Sequence, residues 1–196
     1  RQEHFYDKIS IIVQEAQKEG VPVFFNGIGA EGYDPEDERY IMLKEALNLD
    51  CVKGISLRDD FENLCSNYVV NKNIEVASVF DPAVWSKKTY RLKNIEKKDV
   101  IGLGITRHKL FGDYGIEGID REFLLSFWKE VALLLEAKGR KWVIFTNGLK
   151  SDEDFAEEVL SEIGHGEKLP APAKTDELVR NIAEMSAMIA CRMHSN

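Results

Sequence analysis

The chain reads as an α/β protein of two lobes, each a parallel sheet covered by helices. Three observations predict this class. Short apolar runs alternate with helix-period stretches in both halves, the pattern of strand-helix-strand units. The runs stop at glycine, arginine, asparagine or aspartate, as buried strands do where they leave a sheet. A polar, basic and unpatterned stretch at residues 86–99 separates a lobe at 1–85 from a lobe at 100–196. The length of 196 residues and the apolar share of 44% provide for a sizeable core.

In the first lobe, Phe5, Ile9, Ile12, Val13 and Ala16 fall near helical spacing and predict a helix over 4–18, stopped by Gly20. A buried strand follows at 21–25, with Pro22 near its start. Residues 26–34 form a glycine loop, and 36–47 a helix with acids in its first turn. Strands at 52–57 and 74–80 flank a short helix over 61–65, and Asp81-Pro82 breaks the second of them.

The second lobe repeats the alternation. A strand at 100–106 leads into a long loop over 107–118. The helix over 120–138 is the clearest in the chain, with Leu124, Phe127, Trp128, Val131, Leu134 and Leu135 on one face and Gly139 as its stop. A strand at 141–145 precedes Thr146-Asn147-Gly148. Ser151 and Asp154 resemble a capping box opening a helix to about Ile163. Leu169-Pro170-Ala171-Pro172 is a stiff connector. Thr175 caps a helix over 176–185, and a last strand begins at Met188 and runs into Arg192, His194 and Ser195. There is no short-period repeat of the solenoid kind.

The formal net charge of -8 argues against a general nucleic-acid binder and against simple attraction to anionic membranes. Cys51, Cys65 and Cys191 form no C-x-x-C pair and read as reduced core thiols. No apolar run reaches a transmembrane length, and no signal peptide is visible. The first residue is Arg1 and the sequence stops inside its last strand, so the chain is expected to be a piece truncated at both ends.

Ligands of open α/β sheets bind outside the carboxyl ends of the strands. Three strand ends there carry suitable chemistry. Arg107, after the 100–106 strand, offers a rigid fork for phosphate or carboxylate, although pairing with a nearby acid is an equal reading. His108 beside it is expected to face solvent. Asn147, after the 141–145 strand, joins the substrate-binding set. Arg192 and His194 sit two apart at the final strand end, so a continuing strand would put both on one side. Arginine there supplies fixed charge, histidine a transferable proton and Ser195 a hydrogen bond. Gly27-Ile28-Gly29-Ala30-Glu31-Gly32 matches G-x-G-x-x-G, but the helix that should follow at once starts late and acidic, which disfavours a dinucleotide site. Asp152, Glu153 and Asp154 read as helix-capping acids, and no metal-ligand set is apparent.

Four stretches in order along nearly the whole chain resemble the polysaccharide pyruvyl transferase family: Val23-Phe24-Phe25-Asn26-Gly27-Ile28-Gly29, Ile55-Ser56-Leu57-Arg58-Asp59, Val79-Phe80-Asp81-Pro82-Ala83 and Arg192-Met193-His194-Ser195. The resemblance implies a GT-B-like pair of Rossmann-like lobes. It implies transfer of the pyruvyl group of phosphoenolpyruvate to sugar hydroxyls of a surface or exopolysaccharide precursor, giving a pyruvate ketal and phosphate. It assigns Arg192 and His194 as catalytic, and Arg107 with Arg192 to the donor's charge, with Ser195 and Asn147 as further contacts.

The scheme demands no metal and no cofactor beyond phosphoenolpyruvate as donor. The acceptor is a saccharide or lipid-linked saccharide, which implies a cytoplasmic protein, at the inner face of the membrane where the acceptor is lipid-linked. Two features of the family, an N-terminal glycine-rich loop and a segment beyond R-x-H-S, have no counterpart here, which counts against activity of this piece alone. The alternatives are a nucleotide-sugar glycosyltransferase on the same fold and a catalytically inactive binding module.

Overall fold

The computed structural model describes residues 3–30, 32–113 and 115–191. The chain divides into two compact units, Arg1–Val84 and Trp85–Asn196. Both are α/β with a three-stranded parallel sheet.

The first unit contains α1 (Glu3–Lys18), β1 (Val23–Ile28), α2 (Glu38–Leu47), β2 (Val52–Leu57), α3 (Phe61–Asn63) and β3 (Glu75–Ser78), with strand order β1-β2-β3. Alternation in β2 sends Ile55 and Leu57 into a core with Val13 of α1 and Ala46 and Leu47 of α2. Several boundaries differ from the sequence reading. β1 starts after Pro22, not at Val21, and runs through Asn26 and Gly27 to Ile28. The glycine loop is therefore shorter, because Phe25 pairs with Ile55 and Ile28 with Leu57 across an irregular register. α3 continues as a π-helical turn, Leu64–Tyr68, which buries both of those residues. β3 is four residues long, shorter than the run at 74–80.

The 86–99 stretch is not a bare linker. A 3-10 turn (Pro82–Trp85) leads into α4 (Ser86–Thr89), and the last two residues of the stretch belong to β4 (Lys98–Gly104). Then follow α5 (Leu110–Asp113), α6 (Arg121–Ala137), β5 (Trp142–Phe145), α7 (Lys150–Ile163), α8 (Thr175–Glu184) and β6 (Met185–Ala190). Strand order is β5-β4-β6, so β4 is central.

On one face of this sheet, Leu103, Ile105 and Ile144 pack with Leu124, Trp128 and Ala132 of α6 and with Phe155, Ala156 and Val159 of α7. On the other, Val143, Phe145 and Met185 pack with Leu178 and Ile182 of α8. Gly102 and Gly104 of β4 make room there: an added Cβ at Gly102 would lie 2.2 Å from the Met185 sulfur and one at Gly104 2.9 Å from the Phe145 ring. In α6 the buried stripe is Leu124, Trp128, Ala132, at four-residue spacing. Phe127 and Leu134, read as core, are exposed, since they sit on the outer side of that stripe.

Two caps also differ. Ser151 lies inside α7, whose N-cap is Leu149 without a side-chain bond. Thr175 is likewise the first helical residue of α8 after Lys174. By contrast, Asp120 caps α6 by accepting the Phe123 N–H at 2.8 Å, and Asp37 caps α2 by accepting the Arg39 N–H. The three cysteines are free: Cys51 is buried and Cys191 half-buried, but Cys65 is exposed rather than in the core.

At the amino-terminal side of β5, Glu136 Oε1 accepts the Trp142 indole N–H at 2.9 Å and meets the His165 ring nitrogen at 2.7 Å. His165 first, then Trp142, holds the Glu136 carboxyl below its ordinary value of 4.5. A carboxyl whose folded pKa is lowered stabilises the fold above its unfolded value and loses that contribution as pH falls through the folded one. Glu136→Gln is expected to flatten this acid limb, checked by thermal melts from about pH 6 down to about pH 3. Equal pH slopes in both proteins would count against the bridge.

Candidate functional site

Parallel strands put their carboxyl ends on one edge, and in the second unit that edge carries Arg107 and Asn147. The β4 backbone continues past Gly104, with the Ile105 N–H donating to the Phe145 carbonyl at 2.9 Å. Thr106 and Arg107 follow from the centre of the sheet, and Thr146 and Asn147 from β5 beside it. β6 is level with them on the other flank, Ala190 pairing with Gly104. Arg192, His194 and Ser195 come two, four and five positions later in sequence and lie outside the described residues.

Arg107 is half-buried and held at both ends. Its backbone N–H donates to Asp152 Oδ1 at 2.9 Å. Its guanidinium donates to Asp113 Oδ2 at 2.9 Å, an ion pair in which both side chains keep about a third of their surface, 31% and 29%. The arginine stands beyond a strand end, and of its two readings the structure shows the pairing with an acid. His108 is not solvent-facing. It is half-buried, with its ring centroid 5.4 Å from that of the buried Phe155, because α7 passes under this loop.

Asn147 is half-buried in a short turn. The Gly148 N–H donates to Thr146 Oγ1 at 3.0 Å, and Gly148 takes a left-handed φ of +84°. Pro172 of the connector sits close over that glycine, 3.0 Å from where a Cβ would lie.

The acids at the start of α7 make no N-cap bond and are engaged elsewhere. Asp152, fully buried, accepts from the Arg107 N–H and from the Thr106 hydroxyl at 3.4 Å. Glu153 accepts from the Thr146 hydroxyl and from Lys168 Nζ, the latter at 2.6 Å. Asp154 pairs with Lys150. Two successive acids, Asp152 and Glu153, therefore fasten the threonines that follow β4 and β5. Glu153, and then Glu157 at 3.2 Å, push the Lys168 ammonium above its ordinary range. A threonine two residues beyond β4 and another directly after β5, with adjacent acids at the start of α7, are the sequence signal for this tie.

In the first unit, three of the quoted motifs meet at the carboxyl edge of its sheet. Ser56 Oγ accepts the Gly27 N–H at 2.8 Å and donates to Asn26 Oδ1 at 2.8 Å. Arg58 donates to Asp81 Oδ2 at 3.0 Å, and Asp59 Oδ1 accepts the Ala30 N–H at 2.9 Å. Pro82 packs on Gly27, whose φ of +63° and 2.8 Å clearance to that ring suit only glycine. The Tyr68 hydroxyl donates to the Gly32 carbonyl at 3.0 Å. Two backbone N–H groups of the glycine motif are thus taken by side chains, and α2 starts only at Glu38. That is not the loop-to-helix geometry that cradles a pyrophosphate. The Asp59-Asp60 pair after Arg58, which by sequence could start a helix, divides its roles. Only Asp60 stands at the N-cap of α3, and it makes no side-chain cap bond.

Among the described residues there is no group of three or more histidine, cysteine or acidic side chains able to hold a metal ion. Among them, too, no helix is long and apolar enough to cross a membrane. Burial raises the pKa of the Cys191 thiol, next to Arg192 in sequence.

The model of one protein family, described as polysaccharide pyruvyl transferase, matches residues 2–196. No curated protein and no solved structure matches the chain.

Proposed function

The chain belongs to the polysaccharide pyruvyl transferase family and is a transferase enzyme, and from that premise we propose that its donor is phosphoenolpyruvate and that its product is a pyruvate ketal. The acceptor is a saccharide, free or lipid-linked. In the reaction, one sugar hydroxyl adds to C2 of the donor while C3 takes a proton. A second hydroxyl then displaces phosphate from C2, closing the ketal. His194 supplies the proton to C3. Arg107 and Arg192 offset the charge of the donor's carboxylate and departing phosphate. Ser195 and Asn147 add hydrogen bonds.

The observation that carries this reading is the strand order β5-β4-β6 with all strands parallel. Arg107 and Asn147 follow two of those carboxyl ends, and the R-x-H-S motif begins two residues after the third. A GT-B-like architecture belongs to the same proposal, as does a cytoplasmic reaction, at the inner face of the membrane when the acceptor is lipid-linked. No cofactor enters the scheme.

Full-length protein incubated with phosphoenolpyruvate and a saccharide acceptor is expected to release phosphate. Phosphoenolpyruvate should also raise its melting temperature, because a ligand that binds only the native state stabilises it. Stabilisation by a UDP- or GDP-sugar instead, without phosphate release, would identify a glycosyltransferase. No turnover with either donor would leave a binding module.

A further inference from the structure

We propose that Asp152 is a positioning residue for the donor-binding arginine, an inference that rests on the donor role of Arg107 given above. β4 ends at Gly104, so the Arg107 N–H lies beyond the strand's ladder. Asp152 supplies its acceptor, at 2.9 Å, and reaches Thr106 as well. The carboxylate is fully buried, and a buried charge is tolerated only where hydrogen bonds satisfy it. It is also carried on α7, whose Phe155, Ala156 and Val159 are locked in the core of the unit. The main chain of Arg107 is therefore tied to a helix packed into the core of the unit.

The guanidinium end differs. Its partner Asp113 is partly exposed and lies only six residues away, in α5. Asp113 accepts through Oδ2 at 2.9 Å, and an incoming carboxylate or phosphate, able to take the guanidinium's fork in bidentate fashion, can replace it. Asp152 accepts from backbone, is buried, and does not exchange. The site thus combines a permanent anchor for the Arg107 backbone with an exchangeable partner for its side chain. Asp152 acts on the donor only through Arg107.

The test uses steady-state phosphate release by the full-length protein. Asp152→Ala is expected to raise the KM for phosphoenolpyruvate about tenfold while kcat and the acceptor KM change less than about twofold, the effect of losing a hydrogen bond to a charged group. Asp152→Asn should restore most of this, leaving a rise of about two- to fivefold, since a neutral carboxamide accepts more weakly than a carboxylate. Arg107→Ala combined with Asp152→Ala should match Arg107→Ala alone, because the two act as one unit.

A purely structural Asp152 would lower the native fraction, and with it the apparent kcat, but leave the donor KM of the remaining native enzyme unchanged. That result overturns the proposal. Should Asp152→Ala not fold, an unchanged donor KM in Asp152→Asn overturns it equally. Two failures are distinguishable: an unchanged donor KM in Arg107→Ala removes the donor role itself. A raised KM in Arg107→Ala with normal Asp152 variants removes only the positioning role.

Discussion

Replacing His194 by alanine in the full-length protein is expected to slow phosphate release from phosphoenolpyruvate by about 10²–10⁴-fold, the usual contribution of a positioned general acid. Donor binding should survive, because the donor's charge is assigned to Arg107 and Arg192. Arg192→Ala should show the opposite balance, a weaker donor affinity before a slower step. The pH profile separates the roles further. Only a protonated imidazole can deliver a proton to C3. The parent enzyme should therefore lose rate as pH rises through that group's titration, and His194→Ala should lose that limb of the profile. A variant with the parent's rate and pH profile would remove His194 from the mechanism.

Trp128→Ala is expected to destabilise the second unit by about 3–5 kcal/mol, the range for deleting a large buried aromatic from a core. Trp128 is 1% exposed and lies among Leu103, Ile105, Ile144, Phe155 and Val159. These residues hold β4 and β5 against α6 and α7, and Asp152 on α7 depends on that packing to reach Arg107. Denaturant or thermal unfolding measures the loss. A change below about 1 kcal/mol would mean that the site collapses around the gap, which such cores rarely permit.

Much of this fold is legible from periodicity. The β2 boundaries, the α6 span and its Gly139 stop follow directly from apolar spacing and chain punctuation. Faces were harder. Phe127 and Leu134 extend the apolar stripe of α6 but end up outside it, since apolar residues are also common on surfaces. Caps failed where they rested on residue type alone: Ser151 and Thr175 have the right hydroxyls, but α7 starts two residues and α8 one residue too early for them to serve.

At the site, strand ends could be read from sequence, and Arg107 and Asn147 do stand on one edge. Their fastenings could not. Asp152 looks like an ordinary first-turn acid until the fold brings Arg107 to it. The convergence of Asn26, Ser56, Arg58 and Asp81 likewise depends on the β1-β2-β3 register, which no local window contains.

The bond between Asp152 and Arg107 joins residues 45 apart in sequence. Closing a loop of that span costs entropy before the contact returns anything, so local structure such as α6 forms ahead of it. Ordering of the loop after β4 must then wait until β5 has paired and α7 has docked. An incompletely folded chain would display the arginine without its anchor. The grip on anions would thus mature as one of the later events of folding, coupled to completion of the core rather than to formation of the strand that carries it.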